Sequence, residues 1–324
     1  MKRFPCAPRT WFAVLALGLS LEVRAQASSD AALFLLLPVG ARAAALGTAM
    51  VAQRGTADGM WWNPAGLASV AQREASLNHS QSLMGTGDAL SVVTRTRAGI
   101  FGVGANLLQN DGGELTGEDT LSSGNLYRRS LALVGSYAFM LGPRIQLGAS
   151  WKYLQVRFDC SGECPPNPTV LFSSAAFDLG GQLAARVAGV PFVLGLAVRN
   201  VGTGLREAAD GLDPARLHFG AAAEYTVPDR VAPDVVVSGT VDLAMGRTDT
   251  RPLPRVGAEL AWADGVFLRG GYVVEATDSE AGGASLGVGF RVRQRLQVDF
   301  SRNFSGLSAD AGQPPIQLAL RVTF

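Results

Sequence analysis

The chain has 324 residues, a formal net charge of +1, 48% hydrophobic residues, 17% charged residues and 39 glycines. Typical globular domains contain roughly 25% charged residues and about 7% glycine. The hydrophobic content excludes a highly charged disordered protein. The near-neutral charge argues against a nucleic-acid binder, because no basic excess is present to neutralise phosphates. Composition therefore favours a glycine-rich β protein.

The N-terminus has the features of a cleaved secretory signal. Lys2, Arg3 and Arg9 precede the apolar run 11–21. Small residues after the run predict cleavage after Ala25, with cleavage after Ala27 as the alternative. The run is shorter than the ~20 residues that a membrane-spanning helix needs. Cys6 lies before the run rather than at the cleavage point, which argues against a lipoprotein signal. We therefore predict export, with residues 1–25 removed.

Two cysteines remain after the signal, in the stretch Cys160-Ser161-Gly162-Glu163-Cys164. In an exported chain, two cysteines around a short turn predict a small loop disulfide. The alternative is half of a metal site. Because the whole chain has only two histidines, further ligands are scarce, and we expect neither a metal nor a cofactor.

From about residue 73 onward, apolar residues alternate with small or polar ones. In the segment 316–324, every second residue from Ile316 to Phe324 is apolar, and Arg321 is among the residues between them. Most such segments have 9–12 residues, a length that suits tilted membrane-spanning strands (~9–11) better than soluble strands (about 5–6). The pattern predicts fourteen strands, near residues 74–82, 88–97, 99–108, 129–139, 145–158, 174–187, 192–200, 216–227, 233–243, 254–263, 265–275, 283–293, 295–304 and 316–324.

The predicted connections alternate between short and long. Outer-membrane barrels have this asymmetry, with tight periplasmic turns and longer outer loops. An even number of strands also returns the C-terminus to the side where the first strand begins. The longer connections are predicted at residues 109–128, 159–173, 201–215, 244–253, 276–282 and 305–315.

These observations predict an all-β fold, a 14-stranded antiparallel transmembrane β-barrel over residues 73–324. Lipid cannot satisfy backbone polar groups, so a spanning sheet has to close on itself. The apolar series then faces lipid, and the charged series faces the interior, either as a wall of paired charges or as a selective conduit. Aromatic residues for the membrane interfaces are Trp151, Tyr153, Tyr225, Trp262 and Tyr272. Inward-facing charges are Arg95, Lys152, Asp178, Arg186, Arg199, Arg216, Glu224, Asp242, Arg255, Glu259, Arg269, Arg291, Asp299 and Arg321.

Little in the chain points to catalysis. The stretch 283–287 matches the G-x-S-x-G pattern, but Ser285 lies inside an alternating run rather than at a strand-to-helix turn. An outer-membrane hydrolase that uses Ser285 therefore remains only a third hypothesis. The acidic stretch 111–114, with Glu118 and Asp119, is interpreted as a solvated outer loop, with loose calcium binding as the alternative.

The segment 26–72 differs from the rest of the chain. It is rich in alanine and glycine, too apolar to be free in solution and too interrupted by Pro38 and Gly40 to span a membrane. We predict that it packs inside the barrel as a plug. Asn63-Pro64 with Gly66 predicts a turn.

This segment resembles a known family. Gly40-Ala41-Arg42, Leu46-Gly47, Ala57-Asp58 and Trp62-Asn63-Pro64-Ala65-Gly66-Leu67 are similar to the N-terminal signature of the PorV/PorQ outer-membrane proteins. These are grouped with the FadL-type long-chain fatty acid transporters. The resemblance implies a 14-stranded barrel with an N-terminal hatch. It covers about 35 residues, and Gly59 replaces an acidic residue of the usual Ala-Asp-Asp stretch. The C-terminal Phe324 resembles the signal read by the barrel assembly machinery.

Two functions follow as expectations. The first is a non-enzymatic outer-membrane barrel of PorV/PorQ type that assists protein secretion or surface attachment, with secreted proteins that carry a C-terminal sorting domain as partners. The alternative is a FadL-like channel for hydrophobic molecules such as long-chain fatty acids. Both place the mature protein among outer-membrane lipids, without nucleic acid.

Overall fold

The structure is a computed structural model that describes residues 34–82, 84–116, 122–162, 164, 169–203, 215–246, 250–274, 283–304 and 315–324. The predicted signal (1–25) and the first part of the predicted plug (26–33) lie outside these residues. In the described part of the chain, no helix is long and apolar enough to cross a membrane.

Fourteen antiparallel strands form one closed barrel, as predicted. Each strand pairs with its neighbours in sequence, and the barrel closes where β1 pairs with β14, for example Leu77 with Leu320. The strands are β1 (Glu74–Ser82), β2 (Gly85–Thr96), β3 (Gly99–Thr116), β4 (Ser122–Leu141), β5 (Ile145–Gly162), β6 (Thr169–Val187), β7 (Val190–Thr203), β8 (Arg216–Thr226), β9 (Val235–Gly246), β10 (Leu253–Trp262), β11 (Val266–Val273), β12 (Gly283–Val292), β13 (Leu296–Asn303) and β14 (Ile316–Thr323).

The two ends of the barrel differ. We call the end that carries the connections 97–98, 142–144, 188–189, 227–234, 263–265 and 293–295, most of which have two or three residues, the turn end, and the opposite end the loop end. The start of β1 and the end of β14 meet at the turn end, where the backbone N–H of Phe324 donates to the carbonyl of Arg73 at 3.0 Å.

Side-chain exposure alternates along the strands. In contrast to a soluble protein, the large apolar side chains are exposed and the polar or small ones are buried. In β14, Leu318, Leu320 and Val322 are 49%, 40% and 37% exposed, whereas Ala319 and Arg321 are 2% and 6% exposed. Large apolar residues on the outside of all fourteen strands follow the same rule. Such a continuous apolar surface is stable in lipid and not in water.

The four longest strands exceed their predicted lengths, and β7 also extends beyond its predicted span of 192–200. β3, β4, β5 and β6 have 18, 20, 18 and 19 residues, beyond the ~9–11 that a tilted spanning strand needs. The predicted loops 109–128 and 159–173 are therefore wrong in most of their extent. The ladder between β4 and β5 continues without a shift from Leu141–Ile145 to Gly124–Gly162, so backbone pairing overrides the polar composition that suggested loops.

We call the loop-end parts of these four strands the blade (residues 107–116, 122–131, 155–162 and 169–173). Residues 111–114, interpreted from sequence as a loop, belong to β3, while Glu118 and Asp119 lie outside the described residues. Among the described residues, no group of three His, Cys, Asp or Glu side chains is placed to hold a metal ion. Cys160 and Cys164, next to the end of the blade, form the predicted disulfide.

Four of the five aromatic residues predicted at membrane interfaces are exposed on the outside. Tyr225 and Trp262 lie at the turn end of β8 and β10, and Trp151 and Tyr272 lie farther toward the loop end. Tyr153 is only half-buried, and its hydroxyl lies 3.1 Å from the Ser173 hydroxyl. This arrangement is typical of two aromatic girdles.

A charge placed on the outer face should disrupt the barrel. Leu320→Arg is expected to lower the free energy of unfolding by about 2–4 kcal/mol, the range for arginine near the bilayer midplane. Urea unfolding in lipid vesicles, followed by heat-modifiable migration on gels, measures the loss. The control is Val231→Arg, in the exposed turn between β8 and β9, where a change within about 0.5 kcal/mol is expected. Equal losses for both variants would contradict the assignment of the outer face.

Candidate functional site: the plug and the wall that holds it

Residues 34–72 fill the interior of the barrel, and we call them the plug. They contain one short helix, α1 (Ala41–Ala45), and two 3₁₀ helices, Ala57–Trp61 and Pro64–Ser69. The large side chains of Phe34, Met60 and Leu67 are fully buried. The core of this protein is therefore the contact between the plug and the inner wall.

The Asn63-Pro64 turn is built as the sequence suggests. The Asn63 side chain accepts a hydrogen bond from the Ala65 N–H at 3.1 Å, which caps the second 3₁₀ helix, and Pro64 begins that helix. The Asn63 amide also donates to the Val51 carbonyl at 2.7 Å. One asparagine thus joins two separate turns of the plug and, being buried, has no access to solvent.

Glycines on the inner wall make room for the plug backbone. A Cβ atom added at Gly257 would lie 2.6 Å from the Leu46 carbonyl oxygen, and one at Gly104 would lie 2.7 Å from the Met60 sulfur. Real Cβ atoms do not approach so closely, so a side chain at Gly257 would push against the plug backbone, and one at Gly104 would have to displace the Met60 side chain. The same overlap with plug atoms occurs at Gly148, Gly180, Gly195, Gly220, Gly271 and Gly287. The sequence analysis missed this function of the glycines, although their inward parity in predicted strands was a signal for it.

An ionic chain fastens the first helix of the plug to β10, β11 and β13. Arg42 donates to the two oxygens of Glu259 at 3.0 and 3.1 Å and to the Gln53 side chain at 2.9 Å. Arg269 also donates to Glu259 and, at 2.7 Å, to Asp299. Burial acts to lower the pKa of Arg42, but the adjacent Glu259 outweighs it and holds that pKa above its usual value. Arg42 therefore stays charged.

A second polar anchor lies against β1 and β14. Asp58 accepts hydrogen bonds from Ser76 and Asn78, both at 3.2 Å, and lies 3.6 Å from the Arg321 guanidinium. Glu74 accepts the Ala57 N–H at 2.6 Å. Of the residues in the family-like signature, Arg42, Asp58 and Asn63 thus each bind a different part of the wall or plug.

A third group of charges lies on β5, β6 and β7. Lys152 is 2.6 Å from Asp178 and donates to Asn200 at 2.7 Å. Arg199 stacks over Trp62 with its guanidinium 4.9 Å from the ring centroid. The Nε atom of Arg199 is buried and has no hydrogen-bond partner among the described residues. The Nε–H of this buried arginine is therefore a donor that could bind an acceptor group.

The other predicted charges are placed as follows. Arg216 is half-buried at the loop end of β8. Arg291 contacts Asp264 at 2.6 Å near the turn end. Glu224 has the inward parity but is exposed, because β8 reaches the turn end there, beyond the plug. Phe324 is 60% exposed, at the turn end.

Ser285 has a structural partner. Its hydroxyl donates to the Ala45 carbonyl of α1 at 3.1 Å, inside β12. The two histidines of the chain contact carboxylates elsewhere, His79 with Asp88 and His218 with Asp242. The geometry therefore gives Ser285 a role in holding the plug.

Two small gaps lie between the plug and the wall in the described part of the chain. One cavity of about 20 Å³ is lined by Phe34, Leu37 and Leu108, and another of about 10 Å³ by Trp62, Lys152 and Arg199. A single water needs about 10–15 Å³ of such space. Passage of a larger molecule therefore requires the plug to move.

The inner face of the blade carries an apolar cluster that joins the packing around the plug, with Arg128 and Ser130 beside it. Leu108, Leu154 and Val156 are buried in one cluster with Phe34 and Trp62 of the plug. Phe158 packs against this cluster, and its ring lies 6.2 Å from that of Phe172 in an edge-on arrangement. An apolar surface thus leads from the loop end to the plug.

Comparison with known proteins supports this architecture. No family model and no curated sequence matches the chain. The Ralstonia pickettii toluene transporter TbuX covers 90% of this chain and 100% of its own, with a TM-score of 0.57 at 13% identity. The P. putida toluene transporter TodX covers 88% and 98%, with a TM-score of 0.57 at 12% identity. A Pseudomonas aeruginosa FadL homologue covers 89% and 99%, with a TM-score of 0.54 at 12% identity.

The chain has the FadL-type barrel fold. At these sequence identities the similarity shows the fold alone. The resemblance to FadL-type proteins is therefore supported for the barrel architecture. The resemblance to PorV/PorQ proteins stays a prediction.

The wall glycines give a matched test of plug packing. Gly148→Ala places a methyl group against the Pro64 backbone, and Gly195→Ala places one against Val51. Each should destabilise the protein by about 1–3 kcal/mol, as overpacking does, and should increase protease cleavage within residues 34–72. Gly135→Ala and Gly239→Ala, where an added Cβ meets nothing within 4 Å, are the controls. If all four variants behaved like the parent protein, the plug would not be seated on these glycines.

Proposed function

We propose that the protein is a non-enzymatic outer-membrane barrel that conducts hydrophobic small molecules, such as long-chain fatty acids, from the loop end to the plug. The observation that carries this proposal is the apolar cluster on the inner face of the blade, where Leu108, Leu154 and Val156 pack with the plug. Barrels that conduct water and ions have polar interiors. An apolar inner wall instead favours molecules that leave water.

The apolar surface has a defined order. It begins on the blade with Phe172 and Phe158, continues through Val156 and Leu154, and ends at Trp62 of the plug. Each step is a packing contact or belongs to the same buried cluster. The Arg128 guanidinium lies 5.7 Å from the Phe158 ring centroid, so the path begins beside a cation. From Val156 inward, a hydrophobic molecule could exchange one apolar contact for the next.

The end of this path can also receive a polar head group. Arg199 lies beside Trp62, and its buried Nε has no partner among the described residues. Lys152 and Arg199 line the same small cavity as Leu35 and Leu37. This combination suits a carboxylate attached to an apolar chain, because a guanidinium binds carboxylates through paired hydrogen bonds.

Transport requires the plug to rearrange. The cavities beside it have room for about one water. The contacts to be broken are polar ones on β1 and β10, such as Asp58 with Ser76 and Arg42 with Glu259, together with van der Waals contacts at the wall glycines. We propose that displacement of the plug opens the path.

Protein secretion remains a second candidate, favoured by the PorV/PorQ-like signature in residues 40–67. In that function the blade would dock secreted proteins with a C-terminal sorting domain. Phe324 would direct insertion by the barrel assembly machinery in either case. The similarity of fold to named hydrocarbon transporters supports the conduit more than secretion.

The test is oleate uptake by Gram-negative cells that lack their own fatty acid channel and express this protein. Val156→Asp places a carboxylate on the inner apolar face and is expected to reduce uptake by about tenfold, since unpaired charge in an apolar path costs more than 1.4 kcal/mol. Leu171→Asp, on the outward exposed face of the same blade, is the control and should retain uptake.

Three results would contradict the conduit. They are no uptake by the parent protein, equal uptake by both variants, or recovery of exported proteins with a common C-terminal domain on purification without any bound hydrophobic molecule. The last result would favour secretion. Heat-modifiable migration establishes that each variant has folded.

A further inference from the structure

The turn end of the barrel carries an excess of exposed arginines. Among the described residues, four exposed carboxylate side chains accompany them, Glu224, Asp229, Asp234 and Asp264, and Asp264 is already paired with Arg291. The exposed arginines in this region are Arg54, Arg73, Arg95, Arg97, Arg144, Arg186, Arg230, Arg293 and Arg295.

Some of these arginines serve the fold. Arg95 donates to the Val70 carbonyl of the plug at 3.0 Å, and Arg186 donates to the Gly189 carbonyl of its own turn at 3.3 Å. In contrast, Arg97, Arg144, Arg230 and Arg293 have no side-chain hydrogen bond or ion pair to any other described residue. Their charge is therefore available to a partner outside the chain.

These four arginines are spread around the rim rather than gathered on one side. They lie in or beside the turns β2–β3, β4–β5, β8–β9 and β12–β13. A single docked protein would cover one sector of such a ring. A lipid leaflet surrounds the barrel and reaches every sector at once.

The neighbouring residues place this rim at the membrane surface. Tyr137 and Phe139 lie near the turn end of β4, with Tyr225 and Trp262 at the ends of β8 and β10. Exposed aromatic rings at strand ends are typical of the head-group level of a bilayer. Arg144 lies five residues beyond Phe139, and Arg230 lies five residues beyond Tyr225, in the turns that follow these strand ends. Long arginine side chains in such turns can reach the lipid phosphates.

We infer that the rim formed by Arg97, Arg144, Arg230 and Arg293 binds the phosphate groups of anionic phospholipids in the leaflet at the turn end. A guanidinium binds phosphate through two parallel hydrogen bonds, in addition to its charge. This contact would fix the depth of the barrel at one membrane face and is independent of what passes through the lumen.

The test uses the full-length protein in detergent, titrated with dioleoyl-phosphatidylglycerol or dioleoyl-phosphatidylcholine and followed by native mass spectrometry. The parent protein should retain phosphatidylglycerol at about tenfold lower concentration than phosphatidylcholine. A fourfold variant, Arg97→Gln, Arg144→Gln, Arg230→Gln and Arg293→Gln, should reduce this preference at least about fivefold, the contribution of one surface arginine.

The matched control removes four exposed arginines from the loop-end half, through Arg129→Gln, Arg157→Gln, Arg251→Gln and Arg302→Gln. It should keep the preference. An equal affinity of the parent protein for both lipids, or an equal loss in the control, would overturn the inference. Binding of a poly-glutamate peptide through the rim without any lipid preference would also overturn it, in favour of an acidic protein partner. Each variant is first checked for heat-modifiable migration.

Discussion

The structure depends on one constraint, that backbone N–H and C=O groups within lipid have to be paired inside the protein. A closed antiparallel barrel satisfies this constraint, and its strands then have one face toward lipid and one toward the interior. The outward series, represented by Leu318 and Leu320, is apolar and exposed, whereas the inward series contains Arg321 and other buried polar residues. Every other feature follows from this division.

The interior then has to be filled, and this chain fills it with its own N-terminal segment. Glycines such as Gly148 and Gly257 let the plug backbone approach the wall, while Arg42 with Glu259 and Asp58 with Ser76 fix its orientation. The wall is asymmetric around the plug. The blade gives an apolar cluster toward the loop end, whereas ionic groups lie on β10, β11 and β13, on β1 and β14, and on β5, β6 and β7. A hydrophobic molecule that follows the apolar cluster would therefore meet Lys152 and Arg199 where it reaches the plug.

The sequence predicted the strands well because their signal is local. Alternation in residues 316–324 is sufficient to assign both β14 and its outward face. The blade was missed because its polar residues resemble loops, and only pairing between β4 and β5 shows that they are strand. The contacts of the inner-wall glycines with the plug, and the exposed position of Glu224, depend on which residues lie opposite them in the fold. Composition and the two-residue period of a strand do not contain that information.

The central claim is that lipid surrounds the barrel and that a packed plug fills it. It can be tested with the four tryptophans beyond the predicted signal. Trp151 and Trp262 are 48% and 55% exposed on the outer face, and Trp61 and Trp62 are 3% and 4% exposed in the plug. In vesicles of brominated phospholipid, a variant that keeps only Trp151 and Trp262 should lose most of its fluorescence to quenching. A variant that keeps only Trp61 and Trp62 should retain it. Equal quenching of the two variants, or the reverse order, would contradict the account.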